Sequence, residues 1–341
     1  MIDLRSDTVT KPNETLRRLM AEADVGDDVY GEDPSVNELE RYVAELVQKE
    51  SSLFVTSGTQ GNQAAILAHT RPGDEIIMDR DAHVFIYEGA AMSVFAGVQA
   101  MSLPHTNGEM NLDEVERSIR SDDIHFPETG LIWLENTHNR GGGAVLSLSY
   151  MKELYTLAQR YEIPVHMDGA RLFNAAASLQ VEPSEITQYV DTVQFCLSKG
   201  LGAPVGSMLA GPAPFIKRAR KVRKMLGGGL RQAGVLAAPG LYALKHHREQ
   251  LHVDHQHAQK IAEALRTWTD LTIDHEVQTN IVVANVAPSK RSVHEWVDLF
   301  EEKGVRIIPY KAGSLRFTTN RDVSKEDIEQ VIKVIQELGA S

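Results

Sequence analysis

Pro164-Val165-His166-Met167-Asp168-Gly169-Ala170-Arg171 and Thr192-Val193-Gln194-Phe195-Cys196-Leu197-Ser198-Lys199-Gly200-Leu201-Gly202 are the stretches that decide how this chain folds. Each is a short β-rich run that ends in a charged residue beside glycine. The pattern repeats around them. Runs of strand character at residues 53–56, 75–78, 98–103, 131–135, 164–167, 192–197 and 205–210 alternate with segments of helical period, such as 61–70, 112–119 and 149–160. Such alternation predicts an α/β fold, a mainly parallel seven-stranded sheet covered by helices on both faces. Sheets of this kind bind ligands at the carboxyl ends of their strands, so the residues just past each run are the candidates. Beyond residue 245 the pattern changes. A polar helix around 248–267, β-like runs at 280–286 and 305–309, and helices at 293–303 and 325–338 predict a smaller α+β unit. The expected division is 1–245 for an N-terminal arm and large domain, and 246–341 for the small one.

Composition narrows the function. The 341 residues hold 35 basic and 47 acidic side chains, a net charge of −12, with 42% apolar residues. Those proportions exclude disordered and fibrous classes. The negative balance argues against a nucleic-acid phosphate-backbone binder. A single cysteine, Cys196, rules out an intrachain disulfide or a multi-thiolate metal site, and suits a reducing compartment. Charges at Asp3, Arg5 and Asp7 sit where a signal peptide would be apolar. No apolar run approaches the ~20 residues of a membrane helix. The expectation is a cytoplasmic enzyme or binding protein for a small molecule.

The first strand runs into Thr56-Ser57-Gly58-Thr59-Gln60-Gly61-Asn62 and then a helix. Free backbone N–H groups and the positive end of a helix dipole suit a phosphate there, although a capped turn is the plainer reading. Neither G-x-G-x-x-G nor a P-loop is present. Asp168 at a buried strand end needs a cation or a proton to accompany it. Lys199, presented by a β-rich run among small residues, is a candidate nucleophilic amine of the kind Schiff-base chemistry requires. Together these three features are what pyridoxal 5′-phosphate (PLP) needs: a phosphate anchor, a carboxylate for the ring nitrogen and an amine for the aldehyde.

With these motifs the sequence resembles the low-specificity threonine aldolases, members of the β-eliminating lyase group of aspartate-aminotransferase-fold (fold type I) PLP enzymes. The resemblance covers essentially the whole chain. It runs through Asp3-Leu4-Arg5-Ser6-Asp7-Thr8-Val9-Thr10-Lys11-Pro12, Asp28-Val29-Tyr30-Gly31-Glu32-Asp33-Pro34 and Leu134-Glu135-Asn136-Thr137-His138-Asn139-Arg140-Gly141-Gly142-Gly143. It continues through the two strand ends, Leu226-Gly227-Gly228-Gly229-Leu230-Arg231-Gln232 and Leu315-Arg316-Phe317-Thr318-Thr319.

The resemblance implies roles. Lys199 holds the cofactor as an imine, Asp168 pairs with the pyridine nitrogen, His83 stacks on the ring, and Gly58, Thr59 and Gln60 hold the phosphate. Arg171 and Arg316 form a substrate carboxylate clamp with Ser6, and Tyr30 joins the substrate side. Lys224 and Arg231 approach the cofactor across a subunit interface, so a homodimer or homotetramer with shared sites is expected. The remaining charges of the basic run 217–224 belong on the surface. The implied reaction is cleavage of L-threonine or L-allo-threonine to glycine and acetaldehyde. The base that takes the hydroxyl proton is left between His83, His125 and a phosphate-held water. The alternatives are another β-eliminating amino-acid lyase on this scaffold and a non-catalytic PLP-binding protein. His246, His247, His252, His255 and His257 are read as a solvated helix face, and no metal is assigned.

Overall fold

A computed structural model of the chain describes residues 1–268, 270–287 and 291–339. Seven strands, β1 (Ser51–Val55), β2 (Glu75–Asp79), β3 (Gln99–Leu103), β4 (Thr129–Glu135), β5 (Val165–Asp168), β6 (Thr192–Cys196) and β7 (Ser207–Gly211), form one sheet. Their order is β1-β7-β6-β5-β4-β2-β3. β7 runs antiparallel to both of its neighbours, and every other pairing is parallel. Each of the seven runs expected from the sequence is a strand here, within two residues at either end. For six of them the reason is burial on both faces, which writes a strand as a continuous apolar run, whereas β3 is a largely exposed edge strand. Ile77, Ile132, Leu134, Val165, Met167, Val193, Phe195 and Met208 are all fully or almost fully buried. Each such side chain contributes roughly 1.5–3 kcal/mol.

Helices return the chain between strands, and local capping sets where they begin. Asp33 accepts from the Val36 amide to start α1 (Pro34–Leu46), whose first residue is a proline that needs no N–H partner. Ser57 starts α2 (Gly58–His69), and Ser147 starts α3 (Leu148–Arg160). α4 (Leu172–Leu179) follows β5, and α5 (Ala213–Met225) and α6 (Gly234–His246) follow β7.

A second core lies under a four-stranded antiparallel sheet, ordered β8 (Leu271–Thr272), β9 (Ile281–Val286), β11 (Ser314–Thr318) and β10 (Ile308–Pro309). Trp296, Phe300, Phe317 and Ile335 fill it, with α7 (Leu251–Leu265), α8 (Val293–Glu302) and α9 (Lys325–Gly339) around them. The N-terminal residues, grouped by sequence with the large unit, dock on this smaller one. Ile2 and Asp3 pair in parallel with Val305 and Arg306, and Leu4 is buried in the second core.

The histidine-rich helix differs from the expectation. His246 and His252 are exposed, but His247, His255 and His257 are buried. α7 packs against α4, which turns His255 and His257 inward instead of towards water, and His247, just past α6, is turned inward as well. His255 Nε2 meets Asn174 Nδ2 at 3.1 Å, and His247 Nδ1 lies 2.7 Å from the Leu201 carbonyl and against Arg321. Among the described residues no helix is long and apolar enough to cross a membrane.

Two buried acids give this architecture a pH signature. Burial, with repulsion from Asp7 and Asp322 outweighing Arg321, pushes Asp254 up to about 7. The stability tied to neutral Asp254 is complete below the ordinary carboxylate range and is lost as pH rises through about 7. Asp254→Asn therefore raises the Tm at pH 8, by an amount equivalent to a few kcal/mol at most, and the gain shrinks towards pH 4. Thermal scans of both proteins across that range check it. Asp7 is the opposite case: burial opposes its charge, but Arg171, Lys199 and Asn280 hold the carboxyl below its ordinary value. Asp7→Ala strands a buried guanidinium and lowers stability by about 3–5 kcal/mol, read from the denaturant midpoint.

Candidate active site

A cavity of about 440 Å³ opens at the carboxyl ends of β4, β5 and β6. Strand register sets its floor, since Asp168 pairs with Glu135 on one side and Gln194 on the other. The Asp168 carboxylate is held at both oxygens: Oδ2 accepts from Asn62 Nδ2 at 2.8 Å, and Oδ1 accepts from the Ala170 amide at 3.0 Å. It is therefore aimed before any ligand arrives.

β1 delivers the chain to the N-terminus of α2 at the cavity wall. Ser57 Oγ accepts from the Gln60 amide at 3.1 Å, and Gly58 and Thr59, at the helix start whose first amides lack intrahelical acceptors, line the cavity. Gly58 is tightly placed, since a Cβ would stand 3.0 Å from Cys196 Sγ and press it aside. Gln60 acts otherwise. Its Oε1 accepts from the Thr56 amide at 3.0 Å and from Thr56 Oγ1 at 3.1 Å, so its side chain braces the turn and does not line the cavity.

Lys199 lies three residues past β6, half-buried on the opposite wall, with its carbonyl held by Thr10 Oγ1 at 3.1 Å. Its ammonium makes no hydrogen bond or ion pair among the described residues. The loop that follows closes through Gly206, whose φ of +105° and close approach to Phe54 admit no side chain. Cys196 lines the cavity as well as packing beneath Gly58.

The two arginines differ. Arg171 gives Nε and Nη2 to Asp7, both at 2.7 Å, so that edge of its guanidinium is already filled. Arg316, on β11, donates Nη1 to Asn139 Oδ1 at 3.2 Å and Nη2 to the Arg5 carbonyl at 3.1 Å. Its Nε is buried without a partner. Burial and the neighbouring Arg171 charge lower Arg316 from its ordinary value. A cation so placed lacks a full counter-charge, which an incoming carboxylate supplies. Ser6 lines the same end, with Thr8 donating to its Oγ from both amide and hydroxyl.

Three groups with no role assigned from sequence complete the cavity: Asn62, Glu88 and Glu135. Glu135 accepts from the His83 amide at 2.6 Å and the Asn139 amide at 2.8 Å, clamping two loops together. Burial raises its carboxyl above the ordinary range, with Asp168 and Asp79 adding to the effect. His83 Nδ1 meets Glu88 Oε1 at 3.1 Å. Burial works against a charged imidazole there, but Glu88, Asp168 and Glu135 together raise His83 above the usual histidine value. Glu135 and Asn62 each fall within a motif that stood out in the sequence, but neither had a role of its own, and the meeting of Asn62 with Glu88 across 26 residues has no local pattern to announce it.

Behind the Asn139 loop, Asp79, His105 and His138 gather closely. Each histidine accepts a backbone N–H at Nδ1, from Gly108 and Gly141, both at 2.9 Å. The Nε2 atoms must then carry hydrogens towards Asp81 and Asp79. They are donors that brace the loop, not ligands turned to an ion.

Besides Gln60, four expected residues lie outside this chain's cavity. His125 is exposed and pairs with Asp123, and Tyr30 is 76% exposed. Arg231 pairs with Asp27 at 3.1 Å, and Lys224 lies on the exposed face of α5. Three of the four, Tyr30, Lys224 and Arg231, belong to segments near the turn at residues 57–60. The Asp28 amide donates to the Arg231 carbonyl, and Gly228 and Gly229 pack against Gln60 and Lys224.

Residues 3–289 match the family model described as beta-eliminating lyase. The low specificity L-threonine aldolase of Escherichia coli K12 is 43% identical over 333 residues, covering 97% of each chain. The probable low-specificity L-threonine aldolase 2 of Arabidopsis thaliana is 40% identical over 343 residues, covering 99% of this chain and 97% of its own. The structure of Leishmania major threonine aldolase has the same fold, with a TM-score of 0.85 at 18% identity over 99% of each chain. That fold is the fold-type I architecture of PLP enzymes. A family match over most of the length, with relatives aligned nearly end to end, establishes that the chain belongs to the β-eliminating lyase family.

Proposed function

We propose that the protein is a PLP-dependent aldolase that cleaves L-threonine and L-allo-threonine to glycine and acetaldehyde. The observation that carries this reading is one cavity holding Lys199, a pre-aimed Asp168 and a buried Arg316 with an unpartnered Nε. The residues fit the cofactor. The Gly58 and Thr59 amides suit its phosphate, Asp168 its ring nitrogen, His83 its ring face and Lys199 its aldehyde. When bound, PLP supplies an electron sink for the pair released as the Cα–Cβ bond breaks.

This chain's own groups do the rest. Arg316, with Ser6 and the Arg171 edge that Asp7 leaves over, holds the substrate carboxylate and sets the orientation of the bond to be broken. Asp168 keeps the ring nitrogen protonated. The β-hydroxyl proton goes to a base as the aldehyde leaves, and a proton returned to Cα completes glycine. His83 is the histidine that lines the cavity; His125, exposed and outside it, would have to be supplied by a second copy, and a water held by the phosphate is the third choice.

The surface carrying Tyr30, Lys224 and Arg231 faces, on this reading, a second copy in a homodimer or homotetramer. Exposed Met225, Val94 and Phe95 are apolar side chains that such an assembly would cover. The lone buried Cys196 suits a cytoplasmic setting.

Incubation of the purified protein with each diastereomer of threonine is expected to yield glycine and acetaldehyde, with a visible cofactor band. Absence of that band, or pyruvate as the sole carbonyl product, overturns the reading, the latter in favour of β-elimination. Lys199→Ala is expected to cost about 10³-fold or more in turnover. A histidine base contributes about 10²–10⁴-fold. Near-native turnover in both His83→Phe and His125→Phe therefore leaves water as the base.

A further inference from the structure

Glu88 is an acid whose side chain is wholly inaccessible, yet it borders the cavity. Its Oε2 accepts from Gln63 Nε2 at 2.7 Å. Its Oε1 accepts from Asn62 Nδ2 at 2.8 Å and lies 3.1 Å from His83 Nδ1. The same Asn62 nitrogen donates to Asp168 Oδ2, also at 2.8 Å. A side-chain amide has two N–H bonds, and here each is spent on a different carboxylate. Two acids are thereby fixed side by side in a buried place, where a third partner has to supply positive charge or a proton.

We infer that Glu88 is a positioning residue: it holds His83 by Nδ1–H and, through Asn62, fixes the carboxylate of Asp168. This rests on the reading in which His83 stacks on the cofactor ring and Asp168 meets its nitrogen. One buried carboxylate then governs two contacts on the same ring. With Nδ1 donating to Glu88, Nε2 is the free nitrogen of His83. The arrangement also ties the His83 charge to Glu88. The other groups that face the imidazole are Asp168, Glu135 and the Tyr87 ring, 5.4 Å away between centroids, with Lys199 lining the same cavity.

Glu88→Gln keeps the shape and removes the charge. In the holoenzyme with carbon-labelled histidine, assigned by the loss of one signal in His83→Phe, the His83 titration midpoint is expected to fall by about one pH unit or more. The PLP dissociation constant, followed by visible absorbance, is expected to rise about tenfold, as when a group orienting a ligand contact is lost. Glu88→Asp, which keeps the charge, should restore part of the His83 midpoint. A folded Glu88→Gln protein with both readouts unchanged overturns the proposal. If Glu88→Gln does not fold, Asn62→Ser takes its place. It breaks the bridge to Asp168 and must weaken PLP binding while leaving the His83 midpoint near the parent value; unchanged PLP affinity there also overturns the proposal. A parent protein without a cofactor band refutes the functional reading instead, and its His83 titration still reports on Glu88.

Discussion

A buried guanidinium, Arg171, and a buried carboxylate, Asp7, meet edge to edge with two bonds of 2.7 Å, and much of the site depends on that meeting. Asp7 belongs to the N-terminal arm, Arg171 to the turn after β5, and Asn280, which also donates to Asp7, to the small unit. Three parts of the chain are joined at one pair. Taking both ions out of water is costly, so the pair is a poor source of net stability, but breaking it is worse. Its use is registration. It fixes Ser6 and Arg5 beside Arg316, and it places the end of β5 against the arm.

The same accounting governs the charges around it. Asp7, Glu88, Glu135 and Asp168 are buried within one region, alongside Arg171, Arg316, Lys199 and His83. The acids are satisfied internally by Arg171, by asparagine and glutamine amides and by backbone N–H groups. Lys199 and the Nε of Arg316 are not matched by acids. The net charge of −12 thus conceals a pocket whose uncommitted groups are positive, suited to a phosphate and a carboxylate. Pre-aimed donors of this kind need little reorganisation when the ligand arrives.

How much of this was legible follows from what each residue's neighbours in sequence could report. The sheet was readable because strands covered on both faces carry uninterrupted apolar runs, and Asp168 and Lys199 were readable because they interrupt such runs at the ends. The antiparallel direction of β7 left no trace, since burial alone does not encode direction. Arg316 would pass for a surface residue on a strand, but β11 lies inside its sheet and the guanidinium faces the cavity. The α7 histidines looked solvated because polar spacing is the same whether a histidine meets water or Asn174. Glu88 and Asn62 were hidden for a related reason: an acid and an amide far apart in sequence carry no joint signature. Gln60 shows the converse, a residue in the right motif whose side chain turns back to brace Thr56.

Arg316 Nη2 reaches the carbonyl of Arg5 across 311 positions of sequence. On a ribosome adding about 5–20 residues per second, that contact waits roughly 15–60 s after Arg5 is made. Asp7 is synthesised in the same early moments, and it stays hydrated until Arg171, and later Asn280, arrive to receive it. Burying it sooner would leave a carboxylate without partners in an apolar place. The arm is therefore among the first segments to be made and among the last to settle. Completion of the carboxylate end of the cavity is correspondingly a late event in the life of the nascent chain, after β11 has joined its sheet.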